Sequence, residues 1–254
     1  MIDHTNLEEF ADPVLYDLEQ ASRGAGAIAF YGALAQETGA PVLELACGTG
    51  RVAIPIAQQG AQVIGIDLVP GMLGQARQKS AGLPVHWMVG DMRHFHLTLG
   101  FRLIFLTGNA FQALLTRPDQ TAMLACVRTH LHDAGVLAFD TRNPRPAALR
   151  TTSVEEPWWT YTDPQGYTVQ VTGRQHYDHV SQIMHWTTFR RWQGGDAVET
   201  RVTRIATRYV FPQELEALLY YNGFTIVRQY GDWEGERLTA ESPRIITVCQ
   251  KAKS

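Results

Sequence analysis

An apolar run carrying one acid breaks into glycines at Val42-Leu43-Glu44-Leu45-Ala46-Cys47-Gly48-Thr49-Gly50-Arg51. Val42 to Ala46 reads as a buried parallel strand. Gly48 and Gly50 allow a tight turn, and they let a ligand approach the backbone where a Cβ would block it. The free N–H groups of the helix that follows then point at whatever sits over the turn. Downstream, Val63-Ile64-Gly65-Ile66-Asp67 is a second apolar strand ending in an acid, placed to accept hydrogen bonds from ribose hydroxyls. A third, Val85-His86-Trp87-Met88-Val89-Gly90, runs into Asp91-Met92. Three successive strand ends with acids on or after them form a nucleoside pocket.

The elements that position these residues alternate regularly. Residues 1–40 are largely helical by the spacing of Leu15, Leu18, Ile28, Tyr31 and Leu34, with a break at Arg23-Gly24-Ala25-Gly26. A helix over 51–59 follows the glycine turn, and Pro70 suits the first turn of a helix running to Gln78. A fourth strand spans 101–106, followed by Thr107-Gly108-Asn109-Ala110-Phe111, and a helix over 118–132 leads into a fifth strand over 135–140. After Thr141 the character changes. Asn143-Pro144-Arg145-Pro146 breaks the pattern, and residues 154–211 become rich in Trp, Tyr, Thr, Val and Arg. Long antiparallel strands are expected over 167–177, 183–192 and 198–211, with turns at Asp178-His179 and Gly194-Gly195-Asp196. A helix over 212–221 and strands over 223–227 and 244–250 restore the first pattern.

The fold class is therefore α/β: residues 41–150 and 212–254 form a doubly wound core, residues 151–211 a small antiparallel β insertion, and residues 1–40 an N-terminal helical segment. Composition fits a globular protein, with 45% hydrophobic and 19% charged residues. A net charge of −3 gives no broad basic field, so nucleic acid is not an expected partner. No apolar run approaches the ~20 residues of a membrane span. The start of the chain lacks the basic and apolar regions of a signal peptide, so a reducing cytoplasm is expected. Cys47, Cys126 and Cys249 are too few and too widely spaced for a disulfide framework or a metal site. Cys47 reads as a small packing residue rather than a nucleophile.

In Glu44 to Gly50, Asp67 and Asp91 the chain resembles the class I S-adenosylmethionine (SAM)-dependent methyltransferases of small-molecule type. The resemblance runs from about Tyr16 to the C-terminus and covers the insert after Asn143 only loosely. It implies a Rossmann-like seven-stranded sheet of order 3-2-1-4-5-7-6, with the last two strands an antiparallel edge hairpin, and an N-terminal segment that folds over the cofactor as a lid. It implies that Glu44, Ala46, Gly48 and Gly50 form the cofactor turn, and that Asp67, Leu68 and Met72 flank the ribose. Asp91 would reach the adenine amino group, with Met92 beside it. The backbone around Thr107 would meet the methionine end, with Tyr16 and Tyr31 as lid contacts, Tyr16 on the cofactor. Asn109 or Phe111 would face the acceptor. The segment after the fourth strand lacks the Asn/Asp-Pro-Pro-Tyr/Phe signature of methyltransferases acting on nucleobases or protein amides, which points away from a macromolecular target.

Gly48-Thr49-Gly50-Arg51-Val52-Ala53 also fits the G-x-G-x-x-G/A pattern of a NAD-dependent oxidoreductase. Glu44 argues against it, since a carboxylate there would crowd a pyrophosphate yet suits a loop facing a cationic amino acid. Methyl transfer from a sulfonium mainly requires alignment and exclusion of water. No Ser/His/Asp or Cys/His set stands out, and no catalytic residue is singled out. The insert supplies the densest set of acceptor contacts, with Trp158, Trp159 and Tyr161 ahead of its hairpin and His176, Tyr177, His185, Trp186 and Arg190 within it. Arg190-Arg191 reads as a solvated strand edge. The expected reaction is methylation of a small-molecule nitrogen or oxygen. A non-catalytic SAM-binding module that forms a homodimer through the insert is the other reading.

Overall fold

Val42–Leu45 (β1), Val63–Asp67 (β2), Val85–Val89 (β3), Phe101–Leu106 (β4) and Leu131–Arg142 (β5) lie parallel in the order β3-β2-β1-β4-β5. The structure, a computed structural model, describes residues 4–21, 24–193 and 199–253. Strand β5 runs beyond the expected Asp140 because Arg244–Lys251 (β11) pairs with it antiparallel as far as Arg142. Phe224–Tyr230 (β10) closes that edge. The seven-stranded order is the one the resemblance implies.

The central strands are apolar at nearly every position, Glu44, Asp67 and Arg102 apart, because both faces are covered. Val42, Leu103, Phe105, Val136 and Ala138 project to one face and pack under Ala25–Thr38 (α2) and Ala53–Gln58 (α3). Leu43, Leu45, Ile104, Leu137 and Phe139 project to the other, against Arg117–His130 (α5) and Pro212–Tyr221 (α6). Successive residues of one strand thus feed two separate cores. Each fully buried Leu, Ile or Phe contributes about 1.5–3 kcal/mol, and this double layer fixes where the C-terminal ends of the strands sit. Pro70 opens Pro70–Lys79 (α4), as expected.

The insert is a four-stranded antiparallel meander of Glu156–Thr162 (β6), Thr168–Asp178 (β7), Ile183–Gln193 (β8) and Thr200–Arg208 (β9). Trp158, Trp159 and Tyr161 precede the β7–β8 hairpin, as expected, but lie in a strand that the sequence pattern did not show. They belong to the sheet's edge strand, whose mixed composition hid the pairing. The expected turn at Gly194-Gly195-Asp196 and the strand start at Val198 lie outside the described residues, as does Arg23 of the helical break. Of that break only Gly24, left-handed at φ 108°, lies between Pro13–Gln20 (α1) and α2 among the described residues, while Ala25 and Gly26 open α2.

Candidate cofactor and acceptor site

At the end of β1 the backbone turns left-handed three times, at Ala46 (φ 52°), Gly48 (φ 57°) and Gly50 (φ 79°), and after β4 it does so again at Gly108 (φ 69°) and Asn109 (φ 64°). Left-handed non-glycine residues such as Ala46 and Asn109 cost free energy and persist where surrounding structure over-determines them. These two strained turns sit on adjacent strands and face one crevice. Gly50 answers to packing as well as to its backbone angle, since a Cβ there would lie 2.6 Å from the Trp87 ring.

The acids expected at this crevice are held by backbone. Asp67 accepts from Gly48 N–H at 2.7 Å and Val69 N–H at 2.9 Å, and burial raises its pKa. Glu44 accepts from Ala53 N–H at the start of α3 at 2.9 Å, and complete burial pushes its carboxyl up to about 8. Asp91 differs. Although partial burial works against it, hydrogen bonds from Arg93 hold its carboxyl below the usual range. Arg93 spans both of its oxygens, at 3.0 Å and 2.6 Å, and reaches on to Asp119. Burial drives the Cys47 thiol well up, which suits a packing role. Met72 is buried beneath the turn, a Cβ on Gly48 meeting its methyl at 3.3 Å, while Leu68 and Met92 are partly buried.

Arg51 was named only as the end of the motif, yet it is the cation of this crevice. Its guanidinium lies against Gly24 and Gly108, it hydrogen-bonds Tyr16, and its buried Nε has no hydrogen-bond partner. The donor set therefore fits SAM: an anchored acid for the ribose, and a guanidinium with an unpaired buried Nε for the amino-acid end.

The crevice opens into a cavity of about 920 Å³ that Tyr16, Gly24 and Arg51 also line. Its core wall is Thr107, Gly108, Asn109, Asp140, Arg142 and Arg244, and its far wall is the inner face of the insert, with Trp158, Trp159, Trp186, Thr188 and Arg190. A bulge at Trp158 lets two consecutive tryptophans line it, because β6 slips register between Pro157 and Trp159. Trp158 stacks on Trp159 at 5.9 Å and meets Trp186 edge-on at 5.8 Å. A Cβ at Gly173 would stand 2.0 Å from the Trp158 ring, so only glycine admits that ring.

Several expected site residues lie elsewhere. Phe111 is fully buried and stacks on Phe139 at 4.7 Å, because its short 3-10 turn rotates the ring into the core. Tyr161 is absent from the cavity lining, and its buried hydroxyl makes no hydrogen bond among the described residues. Tyr31 is not a lid contact but a core residue, donating to the Leu106 carbonyl at 3.0 Å and to Asp140 at 3.2 Å. His176 and His185 are paired on the exposed face of the insert. Arg190 is no solvated edge. It is buried, held by Glu9 at 2.7 Å and Glu19 at 2.6 Å, carboxylates that a local reading could not bring to it.

Those two acids come from the N-terminal segment, which bridges the two halves of the site. Asn6 exchanges hydrogen bonds with Ala206, and Asp12 pairs with Arg201. At the other end Asp17 accepts from Thr49 of the cofactor turn at 2.5 Å and from Lys79 at 2.7 Å. Among the described residues no three His, Cys, Asp or Glu side chains could hold a metal ion, and no helix is long and apolar enough to cross a membrane.

Comparison with known proteins agrees with this geometry. Residues 42–135 match a family model described as a methyltransferase domain. The chain is 28% identical over 216 residues to a putative methyltransferase of Bacillus subtilis, covering 84% of this chain and 85% of that one. The solved CcbJ methyltransferase of Streptomyces caelestis superposes with a TM-score of 0.84 at 25% identity, covering 99% of this chain and all of that one. The chain resembles the class I SAM-dependent methyltransferases, and residues 42–135 carry the match to their domain. Another relative is the cypemycin N-terminal methyltransferase of a Streptomyces species, 26% identical over 238 residues, 93% of this chain and 94% of that protein. Similarity to the family implies SAM as the cofactor.

Proposed function

We propose that this methyltransferase transfers the methyl group of SAM to an amine of a small molecule held between the β4 turn and the insert. The observation that carries the reading is the cavity, of a size typical for small-molecule sites, bounded by Thr107 to Asn109 on the cofactor side and by three tryptophans on the other. Asp67 would hold the ribose hydroxyls, Asp91 and Met92 would flank the adenine, and Arg51 with Tyr16 would hold the amino-acid end. SAM supplies an electrophilic methyl group on a good leaving group. The protein's own work is then to align the acceptor and exclude water. Residues 1–40 act as the lid and residues 151–211 as the acceptor cap in this reading. The name of the cypemycin relative supports nitrogen as the acceptor atom.

Calorimetry with SAM, S-adenosylhomocysteine and NAD tests the cofactor. A panel of amines and alcohols, followed by release of S-adenosylhomocysteine, tests the transfer. Saturable NAD binding with no SAM binding would overturn the reading, and turnover of alcohols alone would overturn the choice of nitrogen.

A further inference from the structure

Antiparallel pairing sets Arg142 of β5 directly opposite Arg244 of β11. Residues so opposed project to the same face, and Asp140, two positions before Arg142, shares it. Like charges in this relation are destabilising. The two side chains diverge across the cavity floor. Arg244 turns toward Trp233, its Cζ 4.6 Å from the ring centroid, and its Nη1 stands 3.7 Å from Asp140 Oδ2. Arg142 turns the other way, its Cζ 5.0 Å over the ring of Trp186 in the insert. All five residues line the cavity.

Arg142 differs from its neighbours in what it lacks. Arg190 and Arg201, in the same cavity, are paired with Glu9, Glu19 and Asp12. Among the described residues the Arg142 guanidinium has no carboxylate partner, only the Trp186 face. Its backbone, by contrast, is fixed: its N–H donates to Oε1 of the buried Gln112 at 2.9 Å, and Gln112 Nε2 donates to the Arg208 carbonyl of the insert at 3.1 Å. The floor thus holds two guanidinium groups against one carboxylate, an excess of one positive charge. It lies beside the turn after β4, because Asp140 Oδ1 accepts from Gly108 N–H at 3.2 Å.

We infer that Arg142 and Arg244, framed by Trp186 and Trp233, bind a carboxylate of the methyl acceptor, so that the enzyme selects acceptors carrying one. The inference rests on the reading of this cavity as the acceptor site. A guanidinium fork matches a carboxylate in two parallel hydrogen bonds. One surplus charge on the floor balances a monoanion, whereas a doubly charged phosphate would leave negative charge uncompensated beside Asp140. The tryptophan faces suit a flat or apolar body attached to that group.

Calorimetry at saturating S-adenosylhomocysteine, with 3-phenylpropionate, its neutral amide and 2-phenylethyl phosphate as probes, tests the assignment on the full-length chain. The wild-type protein should bind the carboxylate at least about tenfold more tightly than the amide, the scale of hydrogen bonds to a charged group. Arg142→Met should erase that preference, and Arg142→Glu should make 3-phenylpropylamine the better ligand. Both variants should keep wild-type affinity for S-adenosylhomocysteine, which shows that they are folded. Equal binding of carboxylate and amide, no binding of either, a preference that survives Arg142→Met, or tighter binding of the phosphate would each overturn the inference. Failure of the wild-type protein to bind S-adenosylhomocysteine would instead overturn the proposed function.

Discussion

In the α/β core, Glu44, Asp67 and Asp140 are buried acids held by backbone N–H groups of Ala53, Gly48, Val69 and Gly108. In the insert and the segment that docks on it, the acids are held by arginines: Glu9 and Glu19 by Arg190, Asp12 by Arg201, Glu155 by Arg191 and Glu156 by Arg150. A backbone donor is fixed by the fold and holds its acid without calling on a distant segment of the chain. An arginine neutralises the charge, and it does so between segments far apart in the chain, so the contact depends on both staying docked. The core is therefore a preorganised cofactor site, and the cap is a docked assembly that can be perturbed separately.

The largest effect is expected at the joint. Arg190→Met leaves Glu9 and Glu19 without their cation, and breaking a buried pair in this way costs about 3–5 kcal/mol. Denaturant unfolding should show that loss, and hydrogen exchange should place the new opening in residues 6–20 and the inner strands of the insert. A loss below about 1 kcal/mol, or opening spread evenly through the core, would contradict the division. On the core side, Asp67→Ala should weaken SAM by about 1.5–3 kcal/mol while unfolding as the wild type does. An unchanged dissociation constant in the folded variant refutes the ribose assignment.

Glu44 tests the core's backbone-held charge through pH. Its folded pKa of about 8 lies above the ordinary value of 4.5, so the folded state holds a proton that the unfolded state has released. The corresponding stability is present in full below about pH 4.5 and is lost as pH rises toward 8, at no more than about 1.4 kcal/mol per unit. Glu44→Gln does not titrate and can still accept from Ala53 N–H. Its stability relative to wild type should rise by about 2 kcal/mol between pH 6 and 7.5, and parallel pH profiles for the two proteins would rule the shift out.

The smallest effect on stability is expected in the cap. Gly173→Ala sets a Cβ against the Trp158 ring on an edge strand that can yield, at a cost of about 1 kcal/mol. The acceptor KM should rise while SAM affinity stays unchanged. An equal loss of SAM affinity would mean that cap and cofactor site do not separate.

How far local sequence reached follows the same division. Val42–Leu45, Asp67 and the Gly48–Gly50 turn were legible because strand, turn and helix follow one another in the chain, and the chemistry of the turn lies in consecutive residues. The four-residue stretch Asp140 to Asn143 carried a readable signal as well: Asp140 and Arg142 alternate at the end of a strand and must share a face. Phe111 was misjudged because its position after β4 fixes the loop but not the direction of the ring, which the core behind it decides. Arg190 was misread for a stronger reason. Its partners lie 181 and 171 residues away, so no local pattern distinguishes a buried latch from a solvated edge. The sequence by itself determined the α/β core and the cofactor turn, since these arise from short-range periodicity and one continuous motif, and the strand order came from the resemblance that this motif carries. Only the tertiary structure decided which tryptophans share a wall, which arginines are already neutralised and which one is left for a ligand. Those facts depend on a register bulge at Trp158 and on charge pairing between distant segments, and both are set when the sheets pack rather than by neighbouring residues.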